Sequence, residues 1–126
     1  MVVKEKERLK GGNSYGKKKI IIPIFDYKLT IVIFDKWKEL NEFLPSEEMS
    51  NEAKAITIDQ YGASLVAVNF RSGSSIAHEA VHIKNAIWRY IGYEPQRDND
   101  EVDAYLVTYI YSKIMEVYYK HDKAAN

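Results

Sequence analysis

The chain contains no cysteine, only three histidines, and no excess of either charge. Without cysteine it can form neither disulfides nor a thiolate zinc site, which fits a reducing compartment. Its 18 Lys and Arg balance its 18 Asp and Glu, so the overall charge gives no basis for binding nucleic acid or a membrane surface. No run approaches the ~20 apolar residues of a membrane span. The sequence therefore predicts a soluble, cytoplasmic protein.

The N-terminal segment is basic, with seven Lys or Arg and two Glu in residues 1–19. It lacks the apolar stretch of a signal peptide and contains a Gly-Gly-Asn-Ser break. A chain of 126 residues suits one domain. We therefore predict a flexible basic tail over 1–19 and a single domain over 20–126. A nucleic-acid arm and a regulatory flap are the functional alternatives for the tail. No recognition motif accompanies it, so we expect no nucleic-acid partner.

Two segments are rich in β-branched and aromatic residues and predict hairpins. In residues 20–34 the run is interrupted at Asp26-Tyr27-Lys28, where we expect the turn. Residues 55–70 predict a second hairpin that turns near Tyr61-Gly62.

Three segments show helical patterns. Residues 35–44 predict a short amphipathic helix, and a long helix is expected from about Ser74 to Ile91, ending at Gly92. A last helix is expected from about Asp100 to Lys120. The order of elements predicts an α+β fold with a small, mostly antiparallel sheet and helices on one face.

The motif His78-Glu79-Ala80-Val81-His82 lies inside the first long helix. Residues four apart on a helix are neighbours, so both imidazoles can face one metal ion. In H-E-x-x-H sites zinc activates a water molecule and the glutamate acts as general base. The structural alternative is a pair of ordinary helix histidines. A chance match in a chain of this composition is about a one-in-two-hundred event, which favours the metal site.

A catalytic zinc site usually has three protein ligands and one open position. No further histidine follows at a suitable spacing, so a carboxylate is expected. Glu101 lies nineteen positions after His82, and Asp98, Asp100 and Asp103 are nearby alternatives. Glu101 also fits a capping box with Asp98, which would be a purely structural role.

His78-Glu79-x-x-His82 followed by Glu101 resembles the gluzincins, the thermolysin-type zinc peptidases, and in particular the small minigluzincins and phage-type predicted metallopeptidases. The similarity covers about residues 74–106 and the preceding strand. It implies a zincin-like fold and a Zn²⁺ cofactor bound by His78, His82 and Glu101. It also implies that Glu79 is the general base in hydrolysis of a peptide or protein substrate.

The resemblance further implies that the strand at 64–70 is the edge strand that holds substrate, with Asn69 a candidate for fixing its backbone. One departure concerns the position one turn after Glu101, where these enzymes typically place an Asp and this chain has Tyr105. Tyr105 is a hydrogen-bond partner of a metal ligand, an oxyanion donor or a packing residue.

Two alternatives stay open at the level of sequence. The first is a non-proteolytic zinc-binding regulatory or structural module on the same scaffold. The second concerns association, because aromatic residues are enriched in interfaces. A homo-oligomer would use tyrosines of the last helix, namely Tyr111, Tyr118 and Tyr119.

Overall fold

The computed structural model describes residues 16–42 and 54–125. It contains four strands and two long helices. The strands are β1 (Gly16–Ile22), β2 (Tyr27–Phe34), β3 (Ala55–Gln60) and β4 (Ala63–Asn69). The helices are α1 (Ile76–Ile91) and α2 (Glu101–Ala125), with short 3₁₀ helices at Trp37–Glu42 and Gly73–Ser75. The predicted α+β class is confirmed.

The four strands form one mixed sheet in the order β1-β2-β4-β3. The two hairpins pair antiparallel, but β2 and β4 pair parallel in the centre. The expectation of a mostly antiparallel sheet is therefore corrected to a mixed one. The reason is burial: β4 carries the continuous run Leu65–Val68, which suits a strand covered on both faces, whereas β3 carries Asp59 and suits an edge.

The two faces of the sheet are covered by different elements. Alternate residues of the central strands point toward α1 and α2 and form the larger core, which includes Leu29, Ile31, Ile33, Val66, Val68, Ile83, Ile87, Ile110 and Ile114. The intervening residues Val32, Phe34 and Ala67 pack with Leu40 and Trp37 of the first 3₁₀ helix. Both long helices thus lie on one face, as the sequence predicts, and position the His-Glu motif above the sheet.

Helix α1 ends at Gly92, which adopts the left-handed conformation (φ 75°) and donates its N–H to the carbonyl of Trp88. This is the C-terminal cap that the sequence predicts. Helix α2 buries Leu106, Ile110, Ile114 and Val117. None of the helices in the described ranges is long and apolar enough to span a membrane.

Three predicted segments have different boundaries in the structure. The turn of the first hairpin lies at residues 23–26, so Tyr27 is not in the turn but buried at the start of β2. The predicted helix over 35–44 is a 3₁₀ helix over Trp37–Glu42, and residues 43–44 lie outside the described ranges. Residues 16–19, which the sequence assigns to the tail, belong to strand β1, which begins at Gly16. Residues 1–15 of the predicted tail lie outside the described ranges.

The tyrosines proposed for self-association differ in their surroundings. The Tyr118 hydroxyl donates a hydrogen bond to the carbonyl of Phe70 (2.5 Å), so this side chain anchors α2 to the end of β4. Tyr111 and Tyr119 are exposed. Association of the chain through them stays a prediction.

Candidate metal and catalytic site

The two histidines of the motif face each other on the exposed side of α1. The Nε2 atoms of His78 and His82 are 3.1 Å apart, and their ring centroids are 4.8 Å apart. Two ligands at 2.0–2.1 Å from a tetrahedral zinc ion would be about 3.3 Å apart. The pair therefore fits two positions of a zinc site, although 3.1 Å also suits an N–H···N hydrogen bond between the rings.

Glu79 projects from α1 toward the sheet and is only 6% exposed. Its Oε1 accepts a 2.6 Å hydrogen bond from the hydroxyl of Thr57 on β3. A buried carboxylate needs such a partner, because an unpaired one would lose its hydration without compensation. The motif glutamate is thus held between α1 and β3, on the buried side of the helix that carries the exposed His78–His82 pair.

Strand β3 presents an unpaired edge on its outer side within the described part of the chain. The carbonyl of Lys54 accepts a hydrogen bond from the N–H of Asn69. In an antiparallel ladder, the backbone N–H and C=O groups of Lys54 and of every second residue after it therefore face inward, toward β4. Thr57 and Asp59 fall between these positions, and their N–H and C=O groups face outward. Their side chains also share the face toward α1, since residues two apart on a strand lie on the same face.

The expectation that the strand at 64–70 is the substrate-binding edge is wrong, because β4 lies between β2 and β3. Asn69 has a local structural role instead. Its amide donates to the carbonyl of Asp35, and its side-chain oxygen accepts from the N–H of Arg71. The edge nearest the motif is β3.

The structure brings His78 and His82 together, places Glu79 on the buried side of the same helix, and does not bring Glu101 to the histidines. Glu101 is the first residue of α2 and is exposed. Within the described ranges, no group of three or more His, Asp or Glu side chains is close enough together to hold a metal ion. The three-ligand set stays a prediction.

Asp103 of the same turn contacts α1 away from the histidines. Its carboxylate lies 3.0 Å from Lys84 Nζ and accepts a 2.6 Å hydrogen bond from Trp88 Nε1. Burial alone would raise the pKa of Asp103, but the hydrogen bonds from Trp88 and Lys84 and the charge of Lys84 outweigh it and hold the pKa below its usual value. This Lys84–Trp88–Asp103 clamp places the start of α2 beside the C-terminal half of α1. Trp88 lies about 9 Å beyond His82 along the helix.

Tyr105 lines an apolar groove of about 340 Å³ with residues 22–25 and Trp88, and neither histidine is part of this lining. Its side chain is 69% exposed. An oxyanion role for Tyr105 stays a prediction that no contact supports. Asp98 and Asp100, the other alternative ligands, lie on the exposed connection before α2.

Sequence reasoning missed Thr57, whose hydroxyl is the polar partner of Glu79. A usable signal exists in the segment Thr57-Ile58-Asp59-Gln60, where polar residues interrupt a strand pattern and indicate an edge. Comparison with known proteins finds no matching family model, curated protein or solved structure.

Proposed function

We propose that this protein is a zinc-dependent peptidase that binds an extended peptide along β3 and hydrolyses it with Glu79 as the general base. The observation that supports this most is the facing pair His78–His82 on the same helix as a buried Glu79, which is hydrogen-bonded to Thr57 of an edge strand. Each of these features serves a peptidase, whereas a purely structural zinc site has no use for the base and tends to fill all four positions from protein.

We propose His78 and His82 as two zinc ligands and Glu101 as the third. Residues 92–100 between the helices are exposed throughout, and so is Glu101. For Glu101 to reach the histidines, this turn has to shift past the clamp at Asp103. Asp98 and Asp100 are the alternatives if it does not.

Hydrolysis would combine the chemistry of bound zinc with the roles of three groups of the protein: Glu79, Thr57 and the backbone of β3. Bound zinc would polarise the peptide carbonyl and activate water. Glu79 would take the proton of that water and pass it to the leaving amine. The Thr57 hydroxyl would hold the Glu79 carboxylate in place, and the outward backbone groups of Thr57 and Asp59 would pair with the peptide backbone.

The test measures zinc content and hydrolysis in parallel. We expect about one zinc per wild-type chain and loss of zinc in His78→Ala and Glu101→Ala. Glu79→Gln should keep the zinc but lose cleavage of an unfolded protein, followed by mass spectrometry. Glu94→Gln, an exposed acid in the connection, is the control and should change neither. Cleavage that persists in Glu79→Gln would refute the mechanism.

A second function has a specific observation in its favour. Glu79 already accepts a hydrogen bond from Thr57, and the third ligand is not gathered at the histidines. Both suit a zinc-binding module without hydrolysis. Zinc bound in stoichiometric amount with no cleavage of any peptide in a mixed pool would favour this alternative.

A further inference from the structure

A second cavity lies at the end of β3, where the β3–β4 hairpin meets the C-terminal half of α1. It has a volume of about 250 Å³. This is below the range of drug-sized pockets and suits a single side chain. Its walls include the aromatic residues Tyr27, Tyr61 and Tyr90 and the charged residues Asp59 and Arg89.

The tyrosines are fixed in an edge-to-face arrangement. Tyr61 and Tyr90 have ring centroids 4.7 Å apart, and Tyr27 and Tyr90 have centroids 5.7 Å apart. Tyr27 is buried, while Tyr61 is 87% exposed and leaves ring surface open at the mouth. Gly62 permits this packing, since it has φ of 82° and a Cβ there would lie 3.2 Å from the Tyr90 ring.

Asp59 is the acidic group of the cavity. One carboxylate oxygen accepts a 2.8 Å hydrogen bond from the Ser64 hydroxyl, which in turn contacts the Tyr27 hydroxyl. The other oxygen faces Arg89 Nη2 at 3.3 Å. The Arg89 side chain is 67% exposed, and an exposed ion pair of this length is weak and readily exchanged. A second cation can therefore replace Arg89 on Asp59.

The cavity is next to the proposed catalytic group. Asp59 is two residues after Thr57 on the same face of β3, and Thr57 holds Glu79. Side chains two residues apart on a strand are separated by about 7 Å. A peptide paired with the outer edge of β3 would place one side chain opposite Thr57 and another, two residues along, opposite Asp59.

From this geometry we propose that the Tyr61–Tyr90–Asp59 cavity binds a basic side chain, lysine or arginine, of a peptide lying along β3. The inference rests on the proposed function, because it makes the cavity the specificity site of that peptidase. Aromatic faces attract cations, and the Asp59 carboxylate supplies an opposite charge and a hydrogen-bond acceptor. An acidic side chain is repelled by Asp59, and an apolar one leaves the carboxylate without a new partner.

The test is binding of capped pentapeptides, Ala-Ala-X-Ala-Ala, to the full chain carrying Glu79→Gln, which removes turnover. X is arginine, lysine, norleucine, phenylalanine or glutamate, and NMR of the tyrosine rings reports occupancy. We expect the basic peptides to bind at least about fivefold more tightly than norleucine. Asp59→Asn keeps the acceptor for Ser64 and should abolish this preference. Asp26→Asn, an exposed turn residue at φ 51°, is the matched control.

Arg89→Gln separates a cation site from an anion site. If Arg89 competes with the ligand, its removal should strengthen binding of the basic peptides by about twofold to fivefold. Weaker binding in Arg89→Gln, or a preference for phenylalanine or glutamate, would overturn the proposal. Tyr61→Leu, at an exposed turn position, should weaken the basic peptides without unfolding the protein.

The outcomes distinguish this inference from the proposed function. Basic-peptide shifts at Tyr61 and Tyr90 with no hydrolysis by wild type would retain the cavity but refute the peptidase. Hydrolysis by wild type with no preference for a basic residue would retain the peptidase but refute the cavity's role.

Discussion

The Lys84–Trp88–Asp103 clamp joins the start of α2 to α1 through one carboxylate. Lys84 and Trp88 lie on α1 with 9% and 4% of their surface exposed, and Asp103 on α2 is the acceptor for both. Asp103→Ala removes that acceptor from two nearly buried donors. It also releases the first turn of α2, which carries Glu101.

The magnitude can be worked from the two donors. An unsatisfied buried indole N–H costs about 1–3 kcal/mol. Breaking a fully buried ion pair costs about 3–5 kcal/mol, but the flexible Lys84 side chain can turn toward water and recover part of this. We therefore expect Asp103→Ala to lower the free energy of unfolding by about 2–4 kcal/mol. Asp103→Asn retains a neutral acceptor for Trp88 and should cost about 1–2 kcal/mol.

The assay is urea denaturation followed by circular dichroism at several pH values. Because the folded pKa of Asp103 is lowered, its contribution is present above the unfolded value of about 3.9 and is lost as pH falls through the folded value. The difference between wild type and Asp103→Asn should therefore shrink below about pH 4. Asp98→Ala, in the exposed connection, is the control. A loss in Asp103→Ala within about 0.5 kcal/mol of this control would refute the reasoning.

Three further substitutions test the packing. Ile24 is 95% exposed at φ 74°, so Ile24→Asn should raise the free energy of unfolding by about 0.5–1 kcal/mol in urea titrations. Gly73→Ala should lower it by about 1–2 kcal/mol, since a Cβ there lies 2.9 Å from the Tyr118 hydroxyl oxygen. Tyr27→Phe removes a buried 2.6 Å hydrogen bond to Ser64 and should cost about 1 kcal/mol by the same measurement.

Local signals in the sequence predict the elements of this fold well. The end of α1 at Gly92 follows from the one residue type that adopts the left-handed cap freely. The tight turn at Tyr61-Gly62 has the same cause, with φ of 82° at Gly62. The polar residues Asp26 and Lys28 predict the first turn too late in the sequence, because burial of the Tyr27 ring fixes the start of β2.

The arrangement of elements is less accessible to sequence reasoning. Each hairpin is encoded locally, but which strand of the second hairpin docks against β2 depends on burial in three dimensions. The same limit applies to the site. Helical spacing alone brings His78 and His82 together. The position of Glu101 depends on how α2 packs, which involves its apolar core residues as well as Asp103 and its partners on α1.

The parallel pairing of β2 with β4 has a consequence for how the chain reaches this structure. Both hairpins close over short turns. The central β2–β4 pairing, in contrast, joins Lys28 to Ala63 and Phe34 to Asn69, which are separated in sequence by the 3₁₀ helix and all of β3. The conformational entropy that the chain loses in closing this long loop is lost before β2 and β4 make any contact. The central pairing of the sheet is thus its most non-local part, and we expect the alignment of the two hairpins to be the slowest step in folding.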